Sequence, residues 1–126
     1  MMTRANVMVM GLWTPHTNPE LIRRGILTPA QVEAIEAYRP AVDINHWVFD
    51  AAGQCINEMF DPFPYMLSGL EIPHLKKQIE GRRTKVVLIA GGSPSYVPAI
   101  QAALKAGLAN ILVTDHITAQ LLQVTD

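Results

Sequence analysis

Residues 85–122 constrain this chain most. Lys85-Val-Val-Leu-Ile-Ala-Gly-Gly92 is an apolar run closed by two glycines, and Ala109-Asn-Ile-Leu-Val-Thr-Asp115 is a second run closed by Thr-Asp. The stretch between them, residues 97–106, has the spacing of an amphipathic helix, and Gly107 is placed to end it. The pattern is strand, helix, strand. Both loops then fall at the carboxyl ends of the strands, where open α/β sheets bind small ligands.

The rest of the chain fits the same class. Val7-Met-Val-Met10 reads as a buried strand ending at Gly11, with a loop from Leu12 to Asn18. A short helix is expected over residues 19–24, capped by Asn18 and opened by Pro19. Thr28 caps a second helix, with Pro29 in its first turn and Pro40 beyond its end. Residues 41–50 read as one strand with a polar face. Ala51-Ala-Gly53 is then the turn and residues 54–57 the return strand of a hairpin. Residues 66–72 hold a short strand or turn, residues 73–79 a brief helix, residues 111–113 the last strand and residues 116–123 the last helix. The whole predicts an α/β domain over residues 1–126: a Rossmann-like parallel sheet in three layers, with the hairpin as an insertion. Three core strands are few for a sheet covered on both faces, so a partial domain, or one that leans on a partner, is expected.

Composition narrows the function. The chain has 126 residues and a formal charge of −1, so no polyanion partner is advertised. One cysteine, Cys55, leaves no intrachain disulfide and fits a reducing cytosol. No apolar run approaches the roughly 20 residues of a membrane span. The first residues run straight into the strand pattern without the features of a signal peptide. A cytoplasmic setting without membrane contact is the expectation.

Several blocks, in order, resemble one family. Ala5-Asn-Val-Met-Val-Met-Gly11, Arg24-Gly-Ile-Leu-Thr-Pro-Ala30, Ala41-Val-Asp-Ile44 with Phe49-Asp-Ala-Ala-Gly53, Ala90-Gly-Gly92 with Ala99-Ile-Gln-Ala-Ala-Leu104, and Leu112-Val-Thr-Asp115 are similar to the sugar-sensing domain of SorC-type bacterial transcriptional regulators. The resemblance covers about residues 5–122. It implies a fold like that of sugar-phosphate isomerases and deaminases, and a chain that is the carboxyl half of an effector domain. The effector would be a sugar or phosphorylated sugar. DNA would be met only through a helix-turn-helix absent from this chain. The family's lysine after the double glycine is replaced here by Ser95 or Tyr96, in a loop one residue longer, which predicts weak binding of phosphosugars.

The expected ligand-binding residues are Gly11, Thr14, Asp43, Asn45, Asp50, Gly91, Gly92, Ser93, Ser95 and Tyr96. Gly91 and Gly92 either turn the chain or present amides to an anion at a helix start. Asp43 and Asn45, two residues apart, would form a polar patch on one strand face. Asp50 is a sugar-hydroxyl acceptor or a turn residue, and Asp115 reads as a helix cap. His16, His46, His74 and His116 lack metal spacing, and Cys55 lacks a paired base. Neither catalytic residue, metal nor cofactor is expected. Arg23-Arg24 and Arg82-Arg83 read as solvated pairs. A homo-oligomer is expected, because three strands leave apolar surface or an open edge. The competing reading is a sugar-phosphate isomerase or deaminase-like enzyme, for which only Asp43, Asp50 or a histidine could supply a base.

Overall fold

The computed structural model describes residues 5–14, 19–65 and 71–124. The expected cap at Asn18, His16, and residues 66–70 of the expected strand or turn lie outside these.

Strand β1 (Val7–Met10) pairs in parallel with β4 (Lys85–Ile89), which pairs in parallel with β5 (Ile111–Val113), giving the order β1-β4-β5. Side chains alternate across such a sheet. Met8, Met10, Val86, Leu88 and Leu112 therefore turn to one face, into the main core. Helix α4 (Val97–Lys105) joins β4 to β5 and presents Ala99, Ala102 and Ala103, with Ala106 just past its end, to that core. These small residues let backbone come close. Gly107 ends the helix at φ 72°, and Leu108 N–H bonds back to the Ala103 carbonyl.

The other helices follow their caps. α1 (Pro19–Arg23) is short, and its Glu20 pairs with Arg23 and Arg24, which accounts for that basic pair. α2 (Pro29–Glu36) bears out the expected Thr28 cap and extends it to a capping box: Thr28 Oγ1 accepts from Gln31 N–H at 3.3 Å, and Gln31 Oε1 accepts from Thr28 N–H at 2.8 Å. α3 (Ile72–Glu80) buries Ile72 and Leu75, and α5 (His116–Val124) follows β5. Among the described residues no helix is long and apolar enough to cross a membrane.

The hairpin corrects the sequence reading. Residues 41–50 are two strands, β2 (Pro40–Ile44) and β3 (Trp47–Asp50), paired antiparallel with Ile44 opposite Trp47. The turn is Asn45-His46, at φ 51° and 66°, the left-handed pair of a two-residue hairpin loop. Asp43 Oδ1 accepts from His46 N–H at 2.8 Å and holds the turn. Asn45 thus leaves the strand and does not share a face with Asp43. Residues 54–57 form no return strand. Cys55 makes a single bridge to Phe49, and Ile56–Met59 coils into a 3-10 turn. The physical reason is Asn57, whose Oδ1 accepts from Val48 N–H at 2.7 Å and whose Nδ2 donates to the His46 carbonyl. A side chain satisfies the edge that a third strand would have covered.

The hairpin packs on α4, so one face of the parallel sheet lies under α4 and the hairpin. A second cluster, Leu27, Ile35, Val48 and Ile56, joins α2 to the hairpin. The opposite sheet face is bare. Val7, Val9, Ile89, Ile111 and Val113 are each about half exposed or more. The parallel α/β sheet is as expected. Cover on the second face is not found among the described residues, which fits a partial domain.

Candidate functional site

β4 and β5 are adjacent and parallel, so their carboxyl ends open on the same side. A cleft of about 500 Å3 lies there, lined by Leu12, Ile89, Ala90, Gly91, Gly92, Tyr96, Val113, Thr114 and Asp115. Of the expected site residues, Gly91, Gly92 and Tyr96 line it. Ser93 and Ser95 sit in the same β4–α4 loop, with their hydroxyls 2.9 Å apart, and Ser93 Oγ accepts from Ser95 N–H to start a 3-10 turn.

Asp115 organises this end. Its Oδ1 accepts from Thr118 N–H at 2.9 Å, and its Oδ2 accepts from Thr118 Oγ1–H and from Gly92 N–H, both at 2.7 Å. The expected helix cap is therefore present, and the carboxylate also crosses to the neighbouring loop. Donors on both oxygens, Thr118 N–H foremost, hold its pKa well below the usual carboxylate range. The amide of Gly92 is thereby occupied by a carboxylate. Gly91 makes the approach possible. A Cβ built there would lie 2.5 Å from Asp115 Oδ2 and 2.7 Å from Thr114 Oγ1. Thr114 Oγ1 is itself buried without a hydrogen-bond partner among the described residues.

The exit of β1 is tied to the hairpin. Trp13 N–H donates to the Asp43 carbonyl at 2.8 Å, and Asp43 N–H donates to the Trp13 carbonyl at 3.1 Å. Gly11 and Thr14 flank this bridge, and Leu12 between them reaches the cleft. Asp43 is thus held beside the β1 exit. Burial raises its pKa, partly opposed by the hydrogen bond from His46 N–H. Asp50 is not brought into the cleft. Its Oδ1 accepts from Ala52 N–H and Gln54 N–H, both at 2.9 Å, so it is the turn residue of its own loop. Asn45 lies exposed in the hairpin turn.

Sequence reasoning reached Leu12 only as part of the Gly11–Thr14 segment, left out Ile89, Ala90, Val113 and Thr114, and gave Asp115 only its capping role. The available signal was the pair of runs ending at Gly92 and Asp115, since strands joined by one helix bring their ends together. A second cavity of about 560 Å3 lies between the hairpin and α3, with Phe49 and Ile72 in its lining and Lys76, Glu58 and Cys55 among its polar groups. Burial pushes the Cys55 thiol up, which makes it a poor nucleophile.

A parallel α/β sheet with a cleft at its strand ends defines a small-ligand-binding class of fold. Within that class the chain belongs to the sugar-binding domain family described as "Putative sugar-binding domain", whose match runs over residues 1–123. Solved structures that share the fold include three regulators. A transcriptional regulator from Streptococcus pneumoniae TIGR4 is 19% identical with a TM-score of 0.73, over 97% of this chain and 44% of that one. A DeoR family transcriptional regulator from Listeria monocytogenes is 21% identical with a TM-score of 0.70, over 95% and 45%. The full-length sorbitol operon regulator SorC from Klebsiella pneumoniae is 24% identical with a TM-score of 0.68, over 93% and 35%. The chain spans less than half the length of these structures. Comparison with curated proteins gave no match.

Proposed function

We propose that this chain is the effector-sensing part of the sugar-binding domain of a SorC-type transcriptional regulator, acting in the cytoplasm. The observation that carries the reading is the cleft at the ends of β4 and β5, with Gly91, Gly92 and Tyr96 in its lining, in a chain of the sugar-binding family. The ligand is a small polyol or sugar derivative, bound between this cleft, the Gly11–Thr14 exit and Asp43. DNA is contacted by a helix-turn-helix outside this chain. Binding shifts a subunit interface and so DNA affinity. The enzyme reading is the weaker one: Asp50, one of its candidate bases, is the turn residue of its own loop, and Asp115 in the cleft is held by three donors. The bare sheet face supports a homo-oligomer, since such apolar patches mark interfaces. Light scattering should give a dimer or larger, and a clean monomer at micromolar concentration would count against it.

Ser95 or Tyr96 stands where a cation is expected for a phosphate, so phosphosugar affinity is millimolar, about −4 kcal/mol. Tyr96→Lys should tighten it by about 1–3 kcal/mol through a charge-assisted hydrogen bond. Calorimetry on both forms with free and phosphorylated sugars decides this. Nanomolar phosphosugar binding by the parent, or no gain in the variant, would overturn the placement.

A further inference from the structure

We propose that Asp115 is a positioning residue of the cleft, a latch that holds its two walls in register. The inference rests on the sugar-binding reading above. The walls are separate segments. One is the loop from Ala90 to Tyr96 after β4, and the other is Thr114-Asp115 after β5.

One carboxylate joins the two walls. Its Oδ1 and Oδ2 hold the first turn of α5 through Thr118, and Oδ2 also takes the Gly92 N–H at 2.7 Å, across 23 positions of sequence. An amide bonded to an ionised acceptor is a strong contact and fixes the orientation of its peptide. The approach has a steric signature of its own, because a Cβ at Gly91 would collide with Asp115 Oδ2 and Thr114 Oγ1. A cap alone requires neither the bond to Gly92 nor the missing Cβ at Gly91. With Gly92 N–H taken, and the Ser95 and Tyr96 amides spent on Ser93, the polar groups beside it on this wall include the mutually bonded Ser93 and Ser95 hydroxyls. Asp115 therefore also decides which polar groups the cleft offers.

Two substitutions separate the latch from the cap. Serine caps helices about as well as aspartate but is one bond too short to bridge to Gly92. Asparagine keeps the length and an acceptor oxygen while losing the charge. In the full protein, Asp115→Ser should keep the melting temperature near that of the parent. It should speed hydrogen exchange at the Gly92 amide and weaken sugar binding about tenfold. Asp115→Asn should bind sugar with an affinity between those of Asp115→Ser and the parent, because its one acceptor oxygen can take Gly92 N–H or Thr118 N–H but not both. Amide exchange read by NMR and calorimetry with a panel of free sugars measure these. Unchanged Gly92 exchange and sugar affinity within twofold in Asp115→Ser would overturn the proposal. Should that variant melt far below the parent, Asp115→Asn decides: Gly92 exchange and sugar affinity that change together support the latch, and faster Gly92 exchange with sugar affinity within twofold of the parent overturns it. A parent that binds no sugar in the panel fails the sugar-binding reading, while Gly92 exchange in the variants still decides the latch.

Discussion

Two loops in this molecule are built from the same parts and come to different ends. After β3, Asp50-Ala-Ala-Gly53 is closed by Asp50 Oδ1 on the amides of Ala52 and Gln54. After β5, Asp115 works with Gly91 and Gly92 of the neighbouring loop. Each pair places a glycine where a Cβ would meet an atom at 2.5 Å: Ala106 N for Gly53, and Asp115 Oδ2 for Gly91. The first contact is with the backbone at the end of α4, and the loop becomes part of the core. The second is with a side chain at the edge of a cleft. An aspartate that bonds only within its own turn builds scaffold, whereas one that bonds across to another loop can shape a site.

The largest effect should come from Gly53→Ala. Its Cβ would lie 2.5 Å from Ala106 N and 2.6 Å from the Lys105 carbonyl carbon, at φ 84°. Backbone cannot step aside, so unfolding by denaturant should show a loss of about 3 kcal/mol or more. A loss under about 1 kcal/mol would break the contrast, since it would mean the hairpin can lift off α4.

Gly91→Ala should divide its effect differently. The obstructing atoms belong to side chains that can rotate, so stability should fall by only about 1–2 kcal/mol. Sugar affinity should fall about tenfold or more, because Asp115 must leave Gly92. Calorimetry beside a denaturant curve tests this. Equal losses at both glycines in both measurements would erase the distinction.

Acid sharpens the comparison with the smallest effect. Asp115 has its pKa lowered from the usual 3.8 in the folded chain. The unfolded chain then binds more protons in the acid window, so this group's contribution rises with pH. It is fully present above about 3.8 and is lost as the pH falls below that value. Asp43 acts in the opposite sense, because burial raises its pKa. The parent should therefore lose stability on acidification more steeply than Asp115→Asn does, as thermal melts from pH 6 down to about pH 2.5 would show. Parallel curves would mean the carboxylate's charge is not what holds the two loops.

Most elements could be read from the chain because their signals are local. The Thr28 cap, proline in the first turn of α2, Gly107 after α4, and the apolar runs of β1, β4 and β5 each act within a few residues. The hairpin went astray because the polar pair Asn45-His46 resembles the exposed face of a strand until its left-handed φ values are known. Ala51-Ala-Gly53 offered a competing turn, and it is a real one, but it leads into a 3-10 turn instead of a strand.

By itself the sequence determined the class of fold, the run of its parallel elements and the end of the sheet where the cleft opens. Periodicity and glycine placement are written along the chain. Only the tertiary structure decided which aspartate joins the two strand-end loops. Asp43, Asp50 and Asp115 are alike in sequence, each at or near the end of an apolar strand. Their roles depend on which amides come within 3 Å, and for Asp115 the decisive amide belongs to Gly92, 23 residues away and one strand over. Contacts of that range follow from strand register and loop packing, which no local pattern encodes.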